Sequence, residues 1–270
     1  MADTLKLMAI LAHPDDESLG TGGILAKYAA EGIETSLVTA TRGERGWFGD
    51  EHEYPGLETL GQIREAELRA AAAALGIHSV IFLNYIDGEL DQAHPAEVVA
   101  KIVGHLRRTK PDVVVTFGPD GSYGHPDHIA ISQLTTAAII EAASPDSPYH
   151  RDLTPYRVAK LYYMAPMKDL LDVYQFVFGD LVMHIDGVER RGAGWPDWQI
   201  TTRIDTLPYW HTVWKAVSCH QTQLPAYHHL EGLPEEQHKA LWGSQTFYCA
   251  FSLVNGGRTV ENDLFEGLRF

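Results

Sequence analysis

Short apolar runs recur along the first part of the chain, separated by longer stretches of mixed polarity. Residues 7–12, 35–41, 80–84, 113–117 and 159–164 have strand length and are largely apolar or β-branched, the pattern of strands buried on both faces. Residues 17–31, 60–75, 95–108 and 128–143 between them have helical length. Local chemistry agrees. Residues 69–75 are rich in alanine, the strongest helix former. Pro95 suits a first helical turn, and Gly76 suits a stop just after Leu75. This alternation predicts an α/β domain with a mostly parallel, doubly wound sheet. Past residue 168 the pattern loosens. That part is rich in Trp, Tyr and His, with helical patterns at 207–218 and 235–242 and a strand pattern at 246–253. We read residues 1–167 as the core and 168–270 as a smaller extension or cap. The extension is expected to pack on the core as one structural unit and to complete its pocket.

Composition narrows the class. A chain of 270 residues with 45% apolar content supports one large domain, or a core with an appendage. No stretch approaches the roughly 20 apolar residues of a membrane span, and the first residues lack a secretory signal pattern, so a cytoplasmic chain is expected. The formal charge of −15 argues against nucleic-acid or anionic-membrane partners. Only Cys219 and Cys249 occur, which excludes a disulfide scaffold and a Cys-x-x-Cys zinc site. Any metal must be held by histidine and carboxylate.

In open parallel sheets, ligands bind beyond the carboxyl ends of the strands. Four polar clusters fall there by connectivity alone. His13-Pro14-Asp15-Asp16-Glu17 follows the first strand, and Arg42-Gly43-Glu44-Arg45-Gly46 the second. Asp87-Gly88-Glu89 follows the third, and Asp120 to His128 the fourth. A histidine crowded against carboxylates at such a point is costly to desolvate unless a divalent cation relieves it. One such cluster could be a plain helix cap. Two, each with histidine, are hard to explain as caps alone. Imidazole and carboxylate suit zinc with a position left for water, and suit iron(II) as well. Asp15 and Asp16 are adjacent, so one can bind metal while the other faces the water; spacing does not say which.

The motif Ala12-His13-Pro14-Asp15-Asp16-Glu17, paired with His125-Pro126-Asp127-His128, resembles the PIG-L/LmbE-like family of zinc-dependent de-N-acetylases. Thr41-Arg42-Gly43-Glu44, Arg64-x-x-Glu67, Leu75-Gly76 and Asp87-Gly88 are lesser matches, and His220-Gln221-Thr222-Gln223 the one feature past residue 168. The resemblance covers roughly residues 5–165. It implies a Rossmann-like fold and hydrolysis of an N-acyl group from a small amino sugar or its conjugate. By the same resemblance His13, Asp16 and His128 are the expected zinc ligands and Asp15 the general base. His125 is the expected charged or proton-donating histidine, and Tyr123 the group that polarises the acyl oxygen. Asp127 is expected to influence His125.

Arg42, Glu44, Arg64 and Asp87 are the candidates for substrate contact. Each also has a plain structural reading: a loop bridge for Arg42 and Glu44, a solvated helix residue for Arg64, a tight turn for Asp87-Gly88. The rings of Trp47, Phe48, Trp195 and Trp198 could stack on a sugar or an aglycone, or simply pack. His220 could reach the pocket from the extension. The aromatic-rich second half could also serve self-association into a homo-oligomer. Two rivals stand beside N-acetylglucosamine deacetylation. One is cleavage of another amide, such as a thiol conjugate or a longer acyl chain. The other is a non-catalytic ligand-binding protein with a structural metal. Against the second, Thr21-Gly22-Gly23 is not a dinucleotide fingerprint and no Walker-type loop is present.

Overall fold

The computed structural model of the chain describes residues 4–179, 182–185, 187–255 and 260–269. Strand β1 (Lys6–Leu11) is buried from Leu7 onward. The chain then enters α1 (Asp16–Leu19) and, separately, α2 (Gly22–Ala30). The sequence predicts one helix here, and the break has a local cause. Thr21 is off helical geometry and its hydroxyl donates to the Glu17 carbonyl (3.1 Å). The Gln245 amide fills the gap, accepting from the Ile24 N–H (2.8 Å) and donating to the Gly20 carbonyl (3.0 Å).

Next come β2 (Glu34–Thr41), α3 (Leu57–Leu75) and β3 (Ser79–Tyr85). Gly76 ends α3 in the left-handed conformation, φ 76°, as its sequence position predicts. Helix α4 (Pro95–Thr109), β4 (Val113–Thr116), the kinked turn α5 (Gly121–Gly124), α6 (Pro126–Ala143) and β5 (Lys160–Met164) complete the first part. The second part holds α7 (Lys168–Phe178), the hairpin β6 (Val182–Ile185) and β7 (Val188–Arg191), and β8 (Thr202–Asp205). It ends with α8 (Trp210–Val217), α9 (Glu235–Trp242) and β9 (Ser244–Ser252).

The main sheet has seven strands in the order β3-β2-β1-β4-β5-β9-β8. The first five are mutually parallel, and β9 runs antiparallel between β5 and β8. Chain order reverses between β1 and β4, which are adjacent, so the crevice above them is the switch point where such sheets take ligands. This is the α/β, mostly parallel sheet that the alternation predicts. The extension does more than cover it, because β8 and β9 are strands of the same sheet.

A buried polar cluster ties the end of the chain to that edge. Lys160, with no exposed surface, donates to Glu261 (2.7 Å) and to the Tyr162 hydroxyl (3.1 Å), and Tyr162 donates to Glu261 (2.5 Å). The main core lies around β1, β4 and their helices. A smaller one gathers Trp210, Val213, Val217, Leu230, Leu241 and Trp242 under α8 and α9. Among the described residues no helix is long and apolar enough to cross a membrane.

Candidate active site

Two loops at the switch point face each other. The first leaves β1. His13 is buried there, and Asp16 turns its carboxylate back on the strand end, where Oδ2 accepts from the backbone N–H of Ala12 (3.1 Å) and of His13 (2.7 Å). The second loop leaves β4 through α5 and enters α6, whose first turn holds the buried Asp127 and His128. The His128 ring stacks on Phe117 at 3.8 Å and 11°, which sets its plane.

Two imidazoles and one carboxylate meet between the loops. His13 Nδ1 lies 3.1 Å from His128 Nε2, His13 Nδ1 lies 3.8 Å from Asp16 Oδ2, and His128 Nε2 lies 3.5 Å from Asp16 Oδ1. These separations bracket the about 3.3 Å expected between neighbouring ligands of a tetrahedral ion bound at about 2.0–2.1 Å. The far side of His13 is equally determined. Its Nε2 donates to Asp127 Oδ2 (3.1 Å) and sits 3.0 Å from Asp87 Oδ1. A hydrogen is thereby kept on Nε2; against the cost of burial, Asp127 and Asp87 raise His13 well above the usual histidine range, so a cation taking Nδ1 would displace a second proton there. Burial lifts Asp16 to about 7 despite the charge on His13. Burial and the neighbouring imidazoles hold His128 neutral, the state a metal ligand needs. The donor set therefore fits a divalent cation. His13, His125 and His128 also lie close enough to share one, as do His13, Asp87 and Asp127.

Asp15 stands beside this cluster in a strained backbone conformation, φ 112° and ψ −28°. It is clamped from two sides. Glu17 Oε2 accepts its N–H (2.9 Å), and Arg64 Nη2 lies 3.3 Å from its Oδ2. Arg64 also donates to the Pro14 carbonyl (2.5 Å) and the Gly43 carbonyl (2.9 Å). Gly43 and Gly46 form the cradle for that guanidinium, since a Cβ on either would come within 2.2 Å of Arg64 Nη1.

The remaining candidates divide. Tyr123 and His125 line the same pocket, with His125 at 4.7 Å from the rings of both His13 and His128, and Tyr123 at 5.4 Å from His128. Burial keeps the Tyr123 phenol protonated. His125 Nδ1 accepts the Asp127 N–H (3.2 Å), which leaves its own hydrogen on Nε2. Burial and the charge on His13 push His125 down to about 4.

Asp127 reaches His125 through its backbone; its carboxylate serves His13 and accepts from the Gly88 (2.7 Å) and Leu90 (3.1 Å) N–H groups. Asp87, a candidate for substrate, faces His13 instead, and Glu44 accepts the Asp87 N–H (3.1 Å). Arg64 is buried, not a solvated helix residue. Arg42 is not brought to the site: it donates to Glu65 (2.5 Å) and Asn84 (2.7 Å) and lies over Phe82. Sequence reasoning missed the parts of Glu17 and Phe117. Glu17 stood inside the motif, but nothing in one strand of sequence tells which way a carboxylate turns.

Residues 8–139 match the model of a known family, PIG-L, described as GlcNAc-PI de-N-acetylase. The chain is also 36% identical over 247 residues to the 1D-myo-inositol 2-acetamido-2-deoxy-alpha-D-glucopyranoside deacetylase of Thermobifida fusca, covering 81% of this chain and 83% of that protein.

The chain belongs to the PIG-L family.

It is an enzyme of that family, a hydrolase of the de-N-acetylase type. A second relative, the mycothiol S-conjugate amidase of Streptomyces coelicolor, is 30% identical over 302 residues, covering 100% of this chain and 99% of that one. The fold of this PIG-L protein is shared with N,N'-diacetylchitobiose deacetylase from Pyrococcus horikoshii, at a TM-score of 0.66 and 21% identity over 92% of this chain and 84% of that one.

Proposed function

We propose that the protein is a zinc-dependent deacetylase that removes the N-acetyl group from a glucosaminide, with the sugar carried on inositol as the first substrate to try. The observation that carries this reading is the cluster of His13 Nδ1, His128 Nε2 and Asp16 with Asp15 beside it. The substrate class comes from the similarity to the Thermobifida deacetylase.

In this reading His13, Asp16 and His128 hold the ion. When bound it supplies Lewis acidity, polarising an acyl oxygen and making water a nucleophile near neutral pH. Asp15 takes the proton from the attacking water and returns it to the departing amine, as a base held at fixed geometry can do. His125 Nε2–H and the Tyr123 hydroxyl donate hydrogen bonds to the acyl oxygen as charge develops there, support worth about 10²–10³-fold in rate for one well-placed donor. Asp127 and Asp87 hold the His13 ring and its tautomer. Arg64 and Glu44 shape the loops. Residues 1–167 carry this chemistry and 168–270 complete the pocket.

The similarity of the whole chain to the mycothiol S-conjugate amidase favours a second reading, cleavage of an amide in a thiol conjugate by the same catalytic set. One experiment separates the two. Amine release is measured on zinc-loaded and chelated enzyme with free N-acetylglucosamine, its phosphate, chitin oligomers, an inositol-linked N-acetylglucosaminide and a thiol S-conjugate. Zinc-dependent release from the inositol compound is the expected result. Release from the S-conjugate alone selects the second reading, and silence across the panel with zinc bound rejects both.

A further inference from the structure

The backbone at Asp15 is costly to hold, and one of the groups that holds it comes from the far end of the chain. A non-glycine residue at φ 112° is strained and persists only where its surroundings over-determine it. Glu17 supplies part of that hold by accepting the Asp15 N–H. Glu17 is itself fully buried, and a buried carboxylate keeps one orientation only if its second oxygen is also bonded. Ser18 donates to Glu17 Oε1 (2.5 Å), and so does His220 Nε2 (2.7 Å).

His220 has no exposed surface and lies 203 positions away in sequence. Its own segment is anchored on both sides of the loop it supports. Thr222 donates through its N–H (2.8 Å) and its hydroxyl (2.7 Å) to Glu67 on α3, and Gln223 donates to the Gly46 carbonyl (2.8 Å). The segment is thus fixed to the same helix that carries Arg64 and to the glycine cradle around it.

We infer that His220 is a positioning residue: through Glu17 it holds the Asp15 backbone in the strained conformation that aims the carboxylate at the reaction site. It touches neither the three donor side chains nor the place of the acyl group. The assignment rests on the reading of Asp15 as the base. A histidine that merely filled space would act on stability. One that works through Asp15 acts on kcat, and only while Asp15 is there to be positioned.

The test is a double-mutant cycle with purified zinc-loaded enzyme, on whichever panel compound the wild type hydrolyses. His220→Ala is expected to lower kcat about 10–100-fold with KM and bound zinc unchanged. In the Asp15→Ala background the same change should leave the residual rate within about twofold. His220→Gln, which keeps an N–H donor toward Glu17, should recover most of kcat. An equal loss from His220→Ala with and without Asp15 overturns the inference, as does a loss that tracks bound zinc or an unchanged kcat. If His220→Ala does not fold, Glu17→Gln carries the same cycle, because it keeps shape and one acceptor oxygen but no longer anchors to His220. Failure of the underlying reading looks different: Asp15→Ala alone would then be active.

Discussion

The two loops that form the site are held by opposite means. The backbone of the His125 to His128 loop is built locally, with the Asp127 carboxylate tied to the Gly88 and Leu90 N–H groups. Pro126 and the His125 imidazole start α6, the turn of α5 brings it in, and Phe117 stacks beneath His128. The loop of His13 to Glu17 is held from a distance. Arg64 reaches it from α3, Asp127 from α6, and His220 from beyond α8. The difference follows from what each presents. The second loop offers neutral rings and one carboxylate, Asp127, on a helix start. The first packs three successive acidic residues behind a histidine, so its geometry must be imposed by charges brought from other elements.

The sharpest way to break this comparison is to remove donors and base separately. His13→Ala and His128→Ala should each lose bound zinc and activity together. Asp15→Ala should keep zinc and lose about 10²–10⁴-fold in kcat. Metal content measured beside turnover distinguishes them, and an active Asp15→Ala would refute the base assignment.

Arg64→Met comes next. It takes the donor from the Pro14 carbonyl and leaves the Gly43 carbonyl only the Gly46 N–H, and should cost about 3 kcal/mol in denaturant unfolding. It should also damage turnover, because the first loop depends on that cation. An unfolding midpoint unchanged within error would mean that the loop stands without it.

Asp127→Asn then asks how far the two loops are one site. Its carboxylate fixes the His13 tautomer from the second loop, so the amide should weaken zinc binding about 10–100-fold in competition with a chelator. The smallest effect should come from Phe117→Leu. A local stacking partner is lost without any charge being exposed, and about 1 kcal/mol of stability should go with little change in zinc affinity. A larger effect on zinc than that of Asp127→Asn would reverse the contrast drawn between the loops.

Much of this was legible in the sequence, for a physical reason. Parallel strands deliver every following loop to one edge, so connectivity alone brought His13, Asp87 and His128 together. Side-chain direction was not legible. Arg42 and Arg64 stand near the same loop in sequence, yet Arg42 turns to Glu65 while Arg64 buries itself under Pro14 and Gly43. The break after α1 was hidden because its local sign is a single threonine, and Gln245, which satisfies the freed backbone, lies in another strand 225 positions from Gly20. The extension was the least readable part. Short strands such as β8 give too few residues for a period, and their place in the sheet depends on partners far along the chain.

The placing of β9 has a consequence for how the protein is made. Synthesis proceeds from the N-terminus, so β1 to β5 leave the ribosome first, and β5 then presents a bare edge of unpaired backbone groups. The strand that covers it is the last of the sheet to emerge, and it must enter between β5 and a β8 already made. The Glu261 that clamps Lys160 follows later still. A copy released early therefore carries the metal-seeking residues but an open sheet, which makes it a better substrate for chaperones and proteases than a working hydrolase.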